Sequence, residues 1–239
     1  MIFPVLFNVF TSLLFGGQTF FQKPDPCEEA KIGAAAASLF AKDSLYKVAL
    51  TNIKNAFILD MKEHCVAFGK NTTDNIIASG ISNGSTKGGK VPAITNAFAD
   101  LHNHPNNIPP DAGDLYGLID INKNNHDYKT RFVVTPDGTL YALLITDTAA
   151  AFAFTKKHPR QPPAFNGGPP GFPVAIVDES REMKYQYHCT DEMVTAFILE
   201  KYHAGVSLLK QDSKGIFNKI TTIVLTEGNH IVFSVRICQ

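Results

Sequence analysis

The chain has 239 residues, of which 44% are hydrophobic and 18% are charged. Its 22 basic and 22 acidic residues balance, and no block of Lys and Arg marks the footprint of a nucleic-acid binder. The four cysteines lie far apart without a C-x-x-C pair, which argues against a cysteine zinc knuckle and against a disulfide-dense small domain. Length and composition predict a globular protein with one main domain and additions.

The first fifteen residues are almost wholly apolar, broken only by Asn8, Thr11 and Ser12. This run is shorter than the roughly 18 residues that a membrane-spanning helix needs. It also lacks the basic region of a secretory signal, because the first positive charge is Lys23. We therefore expect no clear membrane span. A degenerate signal or anchor, a packed segment and the cut edge of a longer chain all remain open, so that both a cytoplasmic and a secreted location fit.

Hydrophobic periodicity predicts two helices next, over residues 28–41 and about 44–55. Asp43 is the expected N-cap of the second helix, and Leu45, Val48, Ala49 and Ile53 are expected on one of its faces. A strand is predicted around residues 63–68, with a hairpin partner at 76–79. The stretch 80–90 is rich in Gly, Ser, Asn and Lys and is typical of a loop.

The centre of the chain alternates strands and helices. Residues 97–101 predict a strand, 111–122 a helix, and 131–134 and 139–145 two strands joined by a Thr-Pro-Asp-Gly turn. A helix over 147–157 precedes a Pro/Gly-rich stretch at 159–173, the clearest internal boundary. Helices near 174–187 and 190–203 follow, with strands near 205–209, 220–225 and 230–237. This order predicts a mixed α/β or α+β fold.

The stretch from His102 to Asp114, HNHPNNIPPDAGD, carries the chemistry. His102 and His104 follow the predicted strand, and residues i and i+2 of a strand point to the same side. Asp114 lies in the first turn of the next predicted helix. Two imidazole nitrogens and one carboxylate oxygen suit Zn²⁺ and leave a fourth position for water. The spacing therefore predicts a catalytic zinc site.

A zinc hydrolase also needs a general base, and Glu63 on the predicted early strand is the best candidate. Structural alternatives exist for each residue. Asp111 and Asp114 are also typical of a helix N-terminus, where acids cap amides and complement the dipole. Glu63 has the pattern of an exposed strand acid as well. Asp100 falls on the histidine side of the strand, either as a hydrogen-bond partner of a ligand imidazole or as a surface acid.

In order and spacing, these residues resemble the JAB/JAMM (MPN-type) zinc metalloproteases, whose pattern is a strand Glu, then His-x-His-Pro, a turn and Ser-x-x-Asp. The run Phe98-Ala-Asp-Leu-His-Asn-His-Pro105 is especially similar to RadC-like and toxin-type bacterial members. The resemblance covers roughly residues 55–146. Asp111 stands where the family has Ser, the turn before Asp114 is one residue shorter, and Val66 replaces a common glycine.

The resemblance implies a cytidine-deaminase-like mixed sheet flanked by helices. It divides the chain into a leader and helix (1–42), a JAB/JAMM-like core (43–158), a linker (159–173) and a C-terminal α+β extension (174–239). His102, His104 and Asp114 would bind Zn²⁺, with Glu63 and Asp111 as the catalytic positions. The implied activity is hydrolysis of a peptide or isopeptide bond in a protein or peptide substrate. A non-catalytic MPN-like binding module and a toxin effector domain of a larger bacterial protein are the alternatives.

Overall fold

The computed structural model describes residues 25–86, 88–162, 171–228 and 230–238. The apolar start and residues 163–170 of the predicted linker lie outside this part. Six described helices are α1 Pro26–Phe40, α2 Ser44–Asp60, α3 Ala112–Asn124, α4 Thr148–Lys157, α5 Val174–Tyr185 and α6 Asp191–Lys201. Nine described strands are β1 His64–Lys70, β2 Ile76–Ala78, β3 Ser82–Asn83, β4 Ala99–Asn103, β5 Thr130–Val134, β6 Leu140–Ile145, β7 Val206–Gln211, β8 Phe217–Glu227 and β9 His230–Ile237. None of these helices has the length and apolar character required to cross a bilayer.

Helix α2 begins as predicted and ends later. The Asp43 side chain accepts a hydrogen bond from the Leu45 amide, as an N-cap does. The helix runs to Asp60 and stops at Met61, whose backbone is left-handed at φ 57°. The prediction that Val48 lies on the buried face was wrong, because its side chain is 56% exposed while that of Tyr46 is 1% exposed. The ring of Tyr46 packs against aromatic residues of the sheet.

The nine strands form one open mixed sheet in the order β2-β1-β4-β5-β6-β7-β8-β9, with β3 also paired to β1. Strands β4 and β5 run parallel, and α3 makes the crossover between them. The other strand pairs in the described part of the chain are antiparallel, including the two predicted hairpins β1–β2 and β5–β6. The mixed α/β class is therefore confirmed.

Helices cover both faces of the sheet. Helices α1 and α2 pack on one face, against Val66, Phe68, Leu101 and Phe132 among others. Helices α3 to α6 pack on the other face, where the predicted inward positions Leu115, Leu118 and Ile119 of α3 are buried. Because side chains alternate along a strand, the strands β5 to β8 contribute to both cores. In β4, Ala99 and Leu101 face α1 and α2, which leaves Asp100 and His102 for the α3 face.

The sheet continues across the predicted linker. Strand β7 pairs with β6 through five residue pairs, from Tyr141↔Lys210 to Ile145↔Val206. A disulfide between Cys27 at the start of α1 and Cys238 after β9 joins the two ends of the described chain. Cys65 and Cys189 are free and buried.

Candidate metal centre

Strand β4 and the start of α3 bring the predicted ligands together. His102 is in β4 and pairs with Val133 of the parallel strand β5. His104 follows directly, and its amide donates to the Val134 carbonyl, so that its backbone is still held by β5. Asp114 sits in the first turn of α3. The carboxyl end of a parallel strand followed by a helix N-terminus is a common place for a functional site in α/β sheets.

The three side chains converge on one point. His102 Nε2 lies 3.0 Å from Asp114 Oδ1, and His104 Nε2 lies 3.0 Å from Asp114 Oδ2. All three residues are buried, and one ligand atom from each lies within 4.8 Å of the others. The prediction that these residues form one cluster is confirmed. This group can hold a metal ion.

Hydrogen bonds at the far side of each ring orient the imidazoles. His104 Nδ1 lies 3.0 Å from the Ile108 carbonyl, and His102 Nδ1 lies 3.4 Å from Asp100 Oδ1. A carbonyl and a carboxylate are acceptors, so each Nδ1 carries the proton and donates it. In the neutral rings this leaves both Nε2 atoms free of hydrogen and directed at Asp114. Such partners fix the tautomer and raise the basicity of ligand histidines.

The electrostatics of the cluster favour charged ligands. Burial lowers the pKa of His102, but Asp114 and Asp100 outweigh burial and raise this pKa to about 10. Burial likewise opposes a rise in the pKa of His104, which Asp114 nevertheless brings about. Burial raises the pKa of Asp114, yet the two imidazoles hold it well below its usual value. Without a metal, Asp114 thus favours the protonated form of both imidazoles, and they favour the ionised form of Asp114.

Glu63 comes from the segment just before β1, one residue outside the strand. Cys65 pairs with His102 in the antiparallel β1–β4 ladder, and continuing this register places Glu63 opposite His104. Glu63 therefore shares the face of the two histidines. Burial raises the pKa of Glu63, His102 and His104 lower it, and Asp114 and Asp111 raise it. The carboxyl group thus lies within electrostatic range of the cluster, outside the group of three ligands.

The glycine-rich loop after β2 closes against Glu63. The Glu63 amide donates to the Ser85 carbonyl over 3.0 Å, and the Gly84 amide donates to the Glu63 carbonyl over 2.7 Å. A Cβ atom added at Gly89 would lie 3.5 Å from Glu63 Oε2. A Cβ atom at Gly84 would lie only 2.8 Å from the Glu63 carbonyl oxygen. The loop therefore uses glycine to approach the backbone of Glu63 closely.

Asp111 acts as the N-cap of α3. Its Oδ1 accepts hydrogen bonds from the amides of Gly113 at 2.6 Å and Asp114 at 3.2 Å. In return, the Asp111 amide donates to Asp114 Oδ2 over 2.9 Å, which completes a capping box. Burial and the charge of Asp114 raise the pKa of Asp111. The helix cap and a candidate metal ligand thus share one turn, and a catalytic role of Asp111 stays a prediction.

Behind the candidate ligands, Asp100 belongs to a buried ionic group whose other members, Arg131 and Tyr128, were not predicted from the sequence. Asp100 is fully buried, so its interpretation as a surface acid was wrong. Arg131 Nε donates to Asp100 Oδ2 over 3.0 Å, Tyr128 donates its hydroxyl hydrogen to the same oxygen, and Arg131 Nη1 donates to the Asp114 carbonyl over 3.0 Å. Gly117 of α3 makes room for this guanidinium, since a Cβ there would lie 2.6 Å from Arg131 Nη1. The one sequence signal was a charge, Arg131, directly before the three apolar residues that end the strand.

The neighbouring histidine, His64, faces away from the cluster, as its position next to Glu63 in the chain predicts. Its ring is buried between Asp60 Oδ1 at 2.9 Å and Asn83 Oδ1 at 3.1 Å. It fastens the end of α2 to the start of β1.

A cavity of about 220 Å³ opens beside His104, on the α2 side of the strand ends. The end of α2 contributes Lys54, Phe57 and Ile58, and the β5–β6 turn contributes residues 134–138.

Comparison of the chain with protein-family models, with curated proteins and with solved structures found no match.

Proposed function

We propose that this protein is a zinc-dependent peptidase of the JAB/JAMM type, which hydrolyses a peptide or isopeptide bond. One observation carries the proposal: His102, His104 and Asp114 converge within 4.8 Å, and the Glu63 carboxyl lies within their electrostatic range. The resemblance noted from the sequence requires the same four residues. The mixed sheet with helices on both faces agrees with the fold that the resemblance implies.

The donor set suits zinc. Two imidazole nitrogens and a carboxylate oxygen are the ligands that Zn²⁺ takes in catalytic sites, where three protein ligands leave a position open. The ligands are buried, and both imidazoles are oriented by acceptors at Nδ1. A zinc ion held by these residues would act as a Lewis acid and lower the pKa of a water to about 7.

In this proposal, Glu63 acts first as the general base and then as the general acid of the reaction. Its carboxylate accepts a proton from the water as the oxygen bonds to the carbonyl carbon of the substrate. The protonated Glu63 then donates this proton to the leaving nitrogen as the C–N bond breaks. Partial burial raises the pKa of Glu63 above its usual value, which strengthens the carboxylate as a base. The adjoining Gly84–Gly89 loop fixes the backbone of this residue.

Metal content and turnover test the proposal separately. We expect about one zinc per chain in the wild type and in the Glu63→Gln variant, and none in His104→Ala, as measured by emission spectroscopy. The exposed histidine His126 offers a matched control, and His126→Ala should keep the metal. Zinc that binds equally to all four proteins would contradict the ligand assignment.

Turnover is measured on a mixture of synthetic peptides that contain main-chain and lysine-linked peptide bonds, with new termini detected by mass spectrometry. We expect cleavage by the wild type and a loss of about 100-fold or more in Glu63→Gln, as expected for removal of a general base. Full activity of Glu63→Gln would refute the role of Glu63 as the base.

A non-catalytic, metal-binding module is the second candidate. The capping role of Asp111 favours it, because a carboxylate there would repel a developing oxyanion where the family has a serine. A wild-type protein that binds zinc and cleaves neither kind of bond would support this candidate over the peptidase.

A further inference from the structure

Asn103, the residue between the two histidines, has its side chain buried at 3% exposure. Its Oδ1 accepts a hydrogen bond from the His64 amide over 2.8 Å. Its Nδ2 donates to the Lys62 carbonyl over 2.9 Å. These two main-chain groups flank Glu63 directly in the chain. The Asn103 amide therefore brackets the backbone of the proposed base.

The two hydrogen bonds of the Asn103 side chain take the place of strand pairing where the β1–β4 ladder ends. The β1–β4 pairing stops at Cys65↔His102, so no strand pair holds Glu63 on the β4 side. On the other side, Ser85 and Gly84 hold the Glu63 amide and carbonyl. With Asn103 included, the segment around Glu63 is fixed from both neighbours. The segment is also tied to the strand that carries both metal ligands.

The hydrogen-bonding pattern requires an asparagine. The His64 amide needs an acceptor and the Lys62 carbonyl needs a donor, and a side-chain amide supplies both. An aspartate of the same shape supplies two acceptors when ionised and faces the Lys62 carbonyl without a hydrogen to donate. The Lys62 carbonyl would lose its donor and face a negative charge instead, which would push this carbonyl away and shift the chain at Glu63.

We propose that Asn103 is a positioning residue that holds Glu63 in place over the metal ligands. This inference rests on the proposed function, in which Glu63 is the base. Asn103 couples the placement of the base to the strand of the ligands, so a change at this residue moves the base while the ligands stay in place. Displacements of about 1 Å at a reacting group cost about 100-fold in rate.

Cobalt(II) substitution tests the inference without turnover, since the visible absorption of bound cobalt responds to groups around the metal. Purified full-length protein is loaded with Co²⁺ alone, as wild type and as Glu63→Gln, Asn103→Asp and Asn122→Asp. Asn122 is a matched control, because it is also buried and donates to main-chain carbonyls, those of His126 and Tyr128. We expect Asn103→Asp to bind cobalt and to reproduce the spectral change of Glu63→Gln, and Asn122→Asp to keep the wild-type spectrum.

A wild-type spectrum in Asn103→Asp, with an altered one in Glu63→Gln, would overturn the inference. If Asn103→Asp does not fold, Asn103→Thr takes its place, since threonine suits a strand and is too short to bridge both groups. The expected and the contradicting cobalt spectra are then the same for Asn103→Thr.

Turnover gives an independent reading. We expect kcat of Asn103→Asp to fall about 100-fold while KM stays within about twofold, because a displaced base slows the chemical step more than it weakens binding. An unchanged kcat would overturn the role of Asn103 and leave the peptidase standing. The expected cobalt spectra in a protein that cleaves no peptide would overturn the peptidase and leave Asn103 as the residue that positions Glu63.

Discussion

The imidazoles of His102 and His104 each face one oxygen of Asp114. Asp114 favours the charged form of both imidazoles, and both imidazoles favour the charged form of Asp114. This balance holds only while the site is free of metal, because a metal ligand must be a neutral imidazole. A metal ion that binds here would therefore displace protons from the imidazoles.

We predict that metal binding releases protons at neutral pH. The pKa of His102 is raised to about 10, so its ring is protonated in the metal-free protein at pH 7. Binding must displace this proton, and affinity should therefore increase with pH up to the pKa of His102. Titration calorimetry with Zn²⁺ in buffers of different ionisation enthalpy measures the protons released, and we expect about one or more per metal. A heat that does not depend on the buffer would contradict the prediction, and His126→Ala should behave as the wild type.

At the residue scale, the candidate ligands were predictable, while of the residues that support them only Asp100 was considered, as one of two alternatives. The i, i+2 spacing of His102 and His104 in a strand settles their common side. The burial of Asp100 depends on Arg131, a distant residue that is paired with it in the parallel strands β4 and β5. No local pattern reveals such a pair, because a buried charge is tolerated only through partners that the fold supplies. The proposed role of Asn103 also depends on residues distant in the chain, because its side chain bonds to main-chain groups of Lys62 and His64.

The first turn of α3 is the element where fold and chemistry meet. Asp111 caps the helix, while Asp114 both receives the Asp111 amide and faces the histidines. Changes at Asp111 should therefore separate its structural contribution from its effect on catalysis.

We predict that Asp111→Ala lowers the free energy of unfolding by about 1 kcal/mol, since it removes an N-cap. Asp111→Ser keeps a capping oxygen and should stay within about 0.5 kcal/mol of the wild type. Urea denaturation measures both changes. If the peptidase proposal holds, Asp111→Ser should also raise kcat, because a hydroxyl can donate to a developing oxyanion and a carboxylate repels it. A serine variant without activity would instead give the Asp111 carboxyl a catalytic role of its own.

At the element scale, starts were more predictable than ends. The N-caps Asp43 and Asp147 mark the starts of α2 and α4, where their side chains accept amide hydrogens. The end of α2 was predicted at about residue 55, although residues 56–59 contain no stop signal and the helix continues to Asp60. Asp60 binds His64 of the next strand, so a contact outside the helix accompanies its end. Helix propensity cannot anticipate such a contact.

At the scale of the whole molecule, the Cys27–Cys238 disulfide closes a loop that holds nearly the entire described chain. It fastens the start of α1 to the end of the β8–β9 hairpin. Cross-links that close long loops restrict the unfolded chain most.

We predict that opening this disulfide destabilises the protein by about 2–5 kcal/mol. Thermal unfolding with and without a phosphine reductant measures the change, since phosphines avoid the competition of thiols for zinc. The double variant Cys27→Ser/Cys238→Ser should unfold at the temperature of the reduced wild type and show no further shift with reductant. Equal stability of the oxidised and reduced proteins would contradict a stabilising disulfide.

The class of fold was predictable from the alternation of helices and strands, while the order of the strands was not. Turn residues mark the hairpins β1–β2 and β5–β6, which join neighbours in the chain. The pairing of β6 with β7 spans three helices and the Pro/Gly-rich stretch. Neither this pairing nor that of Cys27 with Cys238 follows from a local pattern. The C-terminal strands were expected in an α+β extension, and β7 to β9 continue the central sheet.

The pairing of β6 with β7 also bears on the order in which the molecule is completed during synthesis. Glu63, both histidines and Asp114 precede β6 in the chain, so a nascent chain that has emerged through α4 already contains every residue of the candidate site. It has not yet produced β7, and the main-chain groups of Leu140–Ile145 still lack their partner on that side. An unpaired apolar edge is a template for wrong association between chains. The residues of the candidate site are thus synthesised before β7, the strand that covers the edge of β6 and so limits aggregation.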